Sequence, residues 1–181
     1  MTMNDRSVFH LISDLTDKKG VNCILIGGFA VNHYKVSRQT ADVDFLMTKE
    51  DFDKIAGSLE SAGYKQTFGQ DNFAQFKSGR LSLMNIDFMF VDQDTLIQIK
   101  NEGKEIKIAG QKLIVPSLNH LIALKLHSIK NNPKIRLTRD LPDIVGLIRI
   151  NDVNFTDKKF KELCYKYGNE EIFNKLMEIL K

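Results

Sequence analysis

The amino-acid sequence predicts an α+β protein in which a mixed β-sheet flanked by helices is followed by a C-terminal helical bundle. In the first part of the chain, short apolar runs of strand length alternate with segments of helical periodicity. Pro116 ends this alternation, and Ser117 after it is a good helix N-cap. Every later segment has helical periodicity. We therefore expect two parts, residues 1–115 and residues 116–181.

The elements of the first part follow from periodicity and from the glycines that interrupt it. Apolar residues at helical spacing from Val8 to Leu15 predict an opening helix that ends near Gly20. Further helices are predicted at Phe29–Tyr34 and Asp51–Ala62. The predicted strands are Val21–Ile26, Asp42–Met47, Tyr64–Phe68, Asn72–Lys77 and Met84–Val91, with a hairpin of Lys104–Ala109 and Lys112–Val115 around Gly110.

The second part reads as four helices joined by short connections. They are predicted at Ser117–Lys130, Leu137–Ile150, Lys158–Tyr167 and Glu170–Leu180. Helices gathered at one end of the chain after a sheet are typical of α+β proteins.

The composition argues against a secreted or membrane protein but does not identify a binding partner. The net charge of +3 comes from 26 basic and 23 acidic residues, which permits a nucleic-acid partner without arguing for one. Cys23 and Cys164 lack CxxC spacing, which fits a reducing compartment. No stretch approaches about 18 apolar residues and no signal peptide is visible, so we expect a cytoplasmic protein with no membrane partner.

Two aspartates lie two residues apart in the strand predicted at Asp42–Met47. Side chains two apart share a face, so Asp42 and Asp44 point one way while Val43 and Phe45 point into the core. Neighbouring carboxylates repel unless a cation lies between them, and magnesium prefers such oxygen ligands. The alternative is a strand edge or turn with solvated carboxylates.

Two glycines stand where a buried strand meets the start of a helix. Backbone N–H groups are available there and the helix dipole favours anions, so the Gly27-Gly28 turn can cradle a triphosphate. Glycine also lets the main chain approach phosphate closely. The alternative is a tight turn that binds nothing.

A third aspartate lies in the middle of an apolar strand. Ile86, Phe88 and Phe90 form one apolar face, which leaves Asp87 on the other face with Asn85. An aspartate in such a strand is costly unless it is paired or metal-bound. The alternative is a carboxylate on the solvated face of an edge strand.

Charged residues also mark the helical part. Lys125 falls on the apolar stripe of its helix, so it must extend to solvent or meet an anion. Asp140 and Asp143 are placed at the start of the next helix, where acids favour the dipole. No P-loop, G-x-S-x-G or dinucleotide fingerprint is present.

Taken together, these motifs resemble the polymerase-beta-type nucleotidyltransferase superfamily. The segment GGFAVNHY with the later R-x-T-x-D-V-D-F is similar to the AbiEii/AbiGii and MenT toxin-like branch. The resemblance extends to the helical part, through the pattern that begins at Pro116-Ser117 and the stretch Arg139–Ile144. It implies the nucleotidyltransferase type of mixed sheet.

The resemblance also implies an activity and a set of site residues. Magnesium or manganese ions would be held by Asp42, Asp44 and Asp87, and Asp87 would also receive the proton of the attacking hydroxyl. The residues expected to contact the nucleoside triphosphate are Gly27, Gly28, Arg38, Thr40, Lys125 and Asp140. Whether Asp140 or Asp143 is the functional acid stays open.

Several features of the reaction stay open. The acceptor can be a tRNA 3′ end, a protein hydroxyl or a small molecule such as an aminoglycoside. The toxin-like branch implies a toxin–antitoxin or defence context with an antitoxin partner. The alternative function is a catalytically inactive nucleotide-binding or interaction protein on the same fold.

Overall fold

The computed structural model describes residues 7–80 and 83–181. The described helices are α1 Val8–Lys19, α2 Gly27–His33, α3 Lys49–Ser61, α4 Gln93–Asn101, α5 Leu118–Asn131, α6 Pro133–Ile150, α7 Lys158–Tyr167 and α8 Glu170–Leu180. The described strands are β1 Ile24–Ile26, β2 Asp42–Met47, β3 Tyr64–Gln70, β4 Phe73–Ser78, β5 Asn85–Phe90, β6 Lys104–Ile108 and β7 Gln111–Val115.

The chain divides into two compact units. Of the described residues, those up to Ala30 and those within Gln39–Ser117 form the sheet unit, and Val31–Arg38 and Leu118–Lys181 form the helical unit. Within the helical unit, the side-chain amide of Asn151 donates a hydrogen bond of 3.1 Å to the carbonyl of Tyr34. Nothing in the local sequence predicts that Val31–Arg38 joins the helical unit.

The sheet unit is built on one mixed sheet with the strand order β3-β4-β5-β2-β1-β7-β6. The pairs β2–β5 and β1–β7 are parallel, and the other neighbours are antiparallel. The predicted mixed sheet flanked by helices is therefore confirmed. Its central parallel pair is formed by the two strands that carry the aspartates.

One face of the central strands forms the core of the sheet unit. Phe45, Phe76 and Phe88 are fully buried there. Phe52 of α3 packs on this face, with its ring centroid 5.3 Å from that of Phe88. Burial of each such ring contributes about 1.5–3 kcal/mol. A slip of one residue would turn the rings outward and the aspartates inward, so this core fixes the strand register.

Two helices, α4 and α6, differ from the sequence-based prediction by more than one or two residues at an end. Helix α4 was not predicted; it begins after Asp92, whose carboxylate accepts a 2.8 Å hydrogen bond from the Thr95 amide as an N-cap. Helix α6 begins at Pro133, where a proline in the first turn loses no intrahelical hydrogen bond. Asp140 and Asp143 consequently lie inside α6, and their placement at a helix start was wrong.

The helical unit is held by apolar side chains that the four helices share. α5 contacts α6 and α7, while α8 contacts α6 and α7. Its fully or almost fully buried side chains include Leu126, Ile129, Ile144, Leu147, Cys164 and Leu176. None of the described helices has the length and apolarity that a membrane span requires.

Candidate active site

Three carboxylates share one face of the central strand pair. β2 and β5 run parallel in a register that sets Asp44 opposite Asp87 and Asp42 opposite Asn85. Opposed residues of neighbouring strands point to the same side of a sheet, and such strands lie about 4.8 Å apart. All three aspartates are partly exposed. We call this row of Asp42, Asp44 and Asp87 the acid face.

Two amide side chains orient the carboxylates of the acid face. Asn85 donates from Nδ2 to Asp42 Oδ1 at 3.3 Å, and Gln75 of β4 donates from Nε2 to Asp87 Oδ1 at 3.1 Å. The Thr67 hydroxyl donates to Gln75 Oε1 at 3.3 Å, which turns the amide nitrogen toward Asp87. Each hydrogen bond restricts the rotation of one carboxylate.

Sequence reasoning did not single out Gln75 as a site residue. Its alternation with the buried Ala74 and Phe76 does place it on the exposed face of a strand. Its position opposite Asp87 depends on the pairing of β4 with β5, which no local pattern encodes.

The glycine turn lies directly against the acid face. β1 ends at Ile26 and α2 begins at Gly27, which has a φ of +63°. A Cβ added at Gly27 would lie 1.9 Å from Asp44 Oδ2. A side chain there would therefore displace the carboxylate, and the positive φ independently favours glycine.

The second glycine makes room for a threonine. A Cβ added at Gly28 would lie 2.7 Å from the Thr40 Cβ. The Thr40 hydroxyl donates to the Asp42 carbonyl at 2.9 Å, at the residue where β2 begins. Gly28 and Thr40 thus fix the entry into the strand that carries Asp42 and Asp44. Their predicted contact with a triphosphate stays a prediction.

The acid face has the donor chemistry that a divalent cation requires. Carboxylate oxygens are hard ligands of the kind that magnesium and manganese prefer. Partial exposure leaves the face accessible, and the three carboxylates lie on the same side of the sheet. Within residues 7–80 and 83–181, no group of three or more aspartate, glutamate, histidine or cysteine side chains lies close enough together to hold a metal ion.

The other predicted nucleotide contacts form a buried charge cluster in the helical unit. Lys125 Nζ lies 2.9 Å from Asp140 Oδ1 and 2.6 Å from Asp143 Oδ2. The Arg38 guanidinium also pairs with Asp143 Oδ2. Lys125, Asp140 and Asp143 are only 5%, 4% and 6% exposed. The side chain of Arg38, at the edge of the group, is 27% exposed. We call Arg38, Lys125, Asp140 and Asp143 the buried cluster.

The buried cluster resolves the alternatives left open for its lysine. Lys125 does not extend to solvent; the anions that it meets are the carboxylates of Asp140 and Asp143. Asp140 Oδ2 is buried and has no hydrogen-bond partner among the described residues. Nucleotide contacts of Arg38, Lys125 and Asp140 stay predictions.

Comparison with known proteins identifies the fold. No protein-family model matches the chain, and no curated protein matches it. Among solved structures, ANT(2'')-Ia in complex with adenylyl-2''-tobramycin has a TM-score of 0.65 at 15% identity, over 88% of this chain and 94% of that one. The lincomycin-bound lincosamide antibiotic adenylyltransferase LnuA has a TM-score of 0.54 at 21% identity, over 77% and 93%. The Megavirus polyadenylate synthase has a TM-score of 0.55 at 16% identity, over 80% and 31%.

These likenesses show that the chain has the fold of nucleotidyltransferases. The predicted fold class is thereby confirmed. The narrower resemblance to the AbiEii/AbiGii and MenT branch stays a prediction.

Proposed function

We propose that this protein is a nucleotidyltransferase that transfers a nucleoside monophosphate from a nucleoside triphosphate to an acceptor hydroxyl. The observation that carries the proposal is the acid face, in which Asp44 and Asp87 stand opposite each other beside Gly27. Similarity to nucleotidyltransferases that act on antibiotics or RNA supports it.

The proposed reaction forms one bond and breaks one. The acceptor oxygen bonds to the α-phosphorus, and the bond from that phosphorus to the bridging oxygen of the β-phosphate breaks. Pyrophosphate leaves with the electron pair. The acceptor proton passes to the carboxylate of Asp87, which Gln75 orients through its 3.1 Å hydrogen bond.

Asp42, Asp44 and Asp87 would hold magnesium or manganese. An ion held there would lower the pKa of the acceptor hydroxyl and offset charge on the phosphates. Gly27 keeps the space into which Asp44 projects, so the glycine turn maintains the ligand geometry. The remaining work of the chain is to position acceptor and donor in line.

Adenylyl transfer is the form of the reaction that we expect. Two of the compared enzymes are described through an adenylyl product or an adenylyltransferase activity, which favours ATP as the donor. From the resemblance to toxin-like proteins we also propose an antitoxin partner. Purification of the protein from its native host, with identification of any protein bound to it, would test this.

The test is transfer of label from nucleoside triphosphates labelled at the α-phosphate. Each of the four is incubated with magnesium, the protein and, in parallel, single-stranded RNA, tobramycin or lincomycin. We expect label on one acceptor class with the wild type and none with Asp42→Ala/Asp44→Ala. Equal labelling by both proteins would refute the proposal that this protein catalyses the transfer. Metal-dependent nucleotide binding without transfer to any acceptor would instead favour an inactive nucleotide-binding protein.

A further inference from the structure

A β-bulge in β3 determines which side chains of this strand lie on the same side of the sheet as the acid face. The register runs from Gln66 opposite Phe76 to Phe68 opposite Gln75, so Thr67 is the extra residue. Gln75 in turn stands opposite Asp87. Without the bulge, strict alternation would direct Phe68 to the buried side with Phe76. The bulge directs it to the side of the acids, and bulges of this kind re-aim side chains next to active sites.

An aromatic pair results on that side of the sheet. The ring of Phe68 lies 6.1 Å from that of Phe73, which stands opposite Met89 on the same face. Phe68 is 47% exposed, so its ring is accessible to a ligand. β3 is two strands from β5, so the aromatic pair lies roughly 10 Å from Asp87. That distance suits a ligand that also reaches the acid face.

Two lysines stand opposite each other on the same face. Lys65 of β3 pairs in register with Lys77 of β4, and both are exposed. Like charges directly opposed destabilise a sheet. In the part of the chain that the structure describes, neither lysine forms an ion pair, whereas Lys112 near the other edge lies 3.0 Å from Glu105.

Protection of the sheet edge explains only one of these lysines. Lysines on edge strands prevent unwanted strand pairing, which accounts for Lys65. β4 is an interior strand between β3 and β5, so Lys77 has no such role. An anionic ligand relieves the repulsion between the two. We call Lys65, Phe68, Phe73 and Lys77 the β3–β4 face.

We propose that the β3–β4 face binds single-stranded nucleic acid whose 3′-hydroxyl is the acceptor. Aromatic rings offer stacking to any base, and paired lysines attract the phosphodiester backbone. The same positive charge disfavours a polycationic aminoglycoside. The identity of the acceptor rests on the proposed function: the 3′-oxygen bonds to the α-phosphorus, pyrophosphate departs, and Asp87 takes the proton.

Binding is tested apart from catalysis by fluorescence anisotropy of a fluorescein-labelled oligouridylate, with neither metal nor nucleotide present. We expect Phe68→Ala to weaken binding about ten-fold or more. Lys65→Gln/Lys77→Gln should reduce the slope of log affinity against log salt by about 1.4, since each neutralised phosphate of a single strand contributes about 0.7. Tyr165→Ala, with a ring 43% exposed in the helical unit, is the matched aromatic control and should leave binding unchanged.

The possible outcomes distinguish a failure of the β3–β4 face proposal from a failure of the proposed enzymatic function. Asp42→Ala/Asp44→Ala should bind the oligonucleotide at least as well as the wild type; if neither protein transfers label, the proposed function fails while the surface stands. Binding that is equal in wild type, Phe68→Ala and the lysine variant would overturn the β3–β4 face. Transfer to tobramycin with no affinity for oligouridylate would overturn it too and leave the enzyme intact. Thermal melting of each variant shows that it is folded.

Discussion

The two units hold their acids in opposite ways. The sheet unit presents Asp42, Asp44 and Asp87 on a partly exposed face, where amide side chains donate to two of them. The helical unit buries Asp140 and Asp143 against the ammonium of Lys125. Both groups contain acids close in sequence, and both were candidates for binding a ligand.

This difference in burial and in hydrogen-bond partners determines what each group of acids can do. A buried carboxylate is tolerated when a cation neutralises it, and removing that cation is strongly destabilising because an uncompensated charge stays buried. Carboxylates that are oriented by neutral amides on an accessible face keep their charge available for a ligand. We infer that the acid face is the group available to a ligand, whereas the charges of the buried cluster are largely neutralised by one another.

The largest effect expected at the acid face is on catalysis. Asp44→Asn should lower kcat/KM on the order of 1,000-fold, because the proposed transfer uses the charge of this carboxylate. The melting temperature should stay equal or rise, since repulsion from Asp87 across the strands is relieved. Label transfer and thermal melting measure the two effects. A large loss of stability would show that Asp44 has a structural role.

In the buried cluster, the largest expected effect of a substitution is on stability. Lys125→Met leaves the buried carboxylate of Asp140 without a cation and that of Asp143 with Arg38 alone, which should cost about 3–5 kcal/mol of unfolding free energy. Urea denaturation measures this loss.

The matched control is an exposed lysine in the same unit. Lys175 pairs with Glu171 at 2.7 Å on the surface, so Lys175→Met should cost at most about 1 kcal/mol. Similar losses for the two substitutions would remove the distinction between buried and exposed pairs.

A smaller effect is expected where an amide orients an acid. Gln75→Leu should lower kcat about 10- to 100-fold with little change in KM, by analogy with residues that orient metal ligands. Gln75→Glu keeps the shape of the side chain but loses the N–H donor, so it should not restore the rate. If both variants retain the wild-type kcat, Gln75 does not position Asp87.

The smallest effect concerns a buried thiol of the helical unit. Burial raises the pKa of Cys164 to about 12. A thiol whose pKa rises on folding is protonated more readily in the native state, so its contribution to stability is complete below about pH 8.5 and is lost as the pH rises toward 12. Urea titrations across this range should show a steeper alkaline decline for wild type than for Cys164→Ala. Parallel declines would contradict the raised pKa.

Much of the fold was predictable because alternation is a local property. The bounds of β2, α7 and α8 agree with the prediction, since apolar periodicity defines each of them. Helix α4 was missed because its short segment buries only Leu96 and Ile99. Its signal was the Asp92 N-cap, which is weak without a longer apolar stripe.

The common face of Asp42 and Asp44 was predictable from the sequence, whereas the partners of the acids were not. Asp42 and Asp44 follow from spacing within one strand. Their register with β5, the hydrogen bond of Gln75 and the pairing of Lys125 with α6 all depend on contacts between elements distant in sequence. The bulge at Thr67 likewise depends on how β3 and β4 pair.

Calorimetric titration of magnesium-ATP, and of the other three magnesium nucleotides, into wild type, Asp44→Asn and Lys175→Met tests most directly whether the acid face serves a ligand. We predict that wild type and Lys175→Met bind one nucleotide with equal affinity, that EDTA abolishes the binding, and that Asp44→Asn weakens it at least about 100-fold. Equal affinity of wild type and Asp44→Asn, or binding that persists in EDTA, would contradict the account.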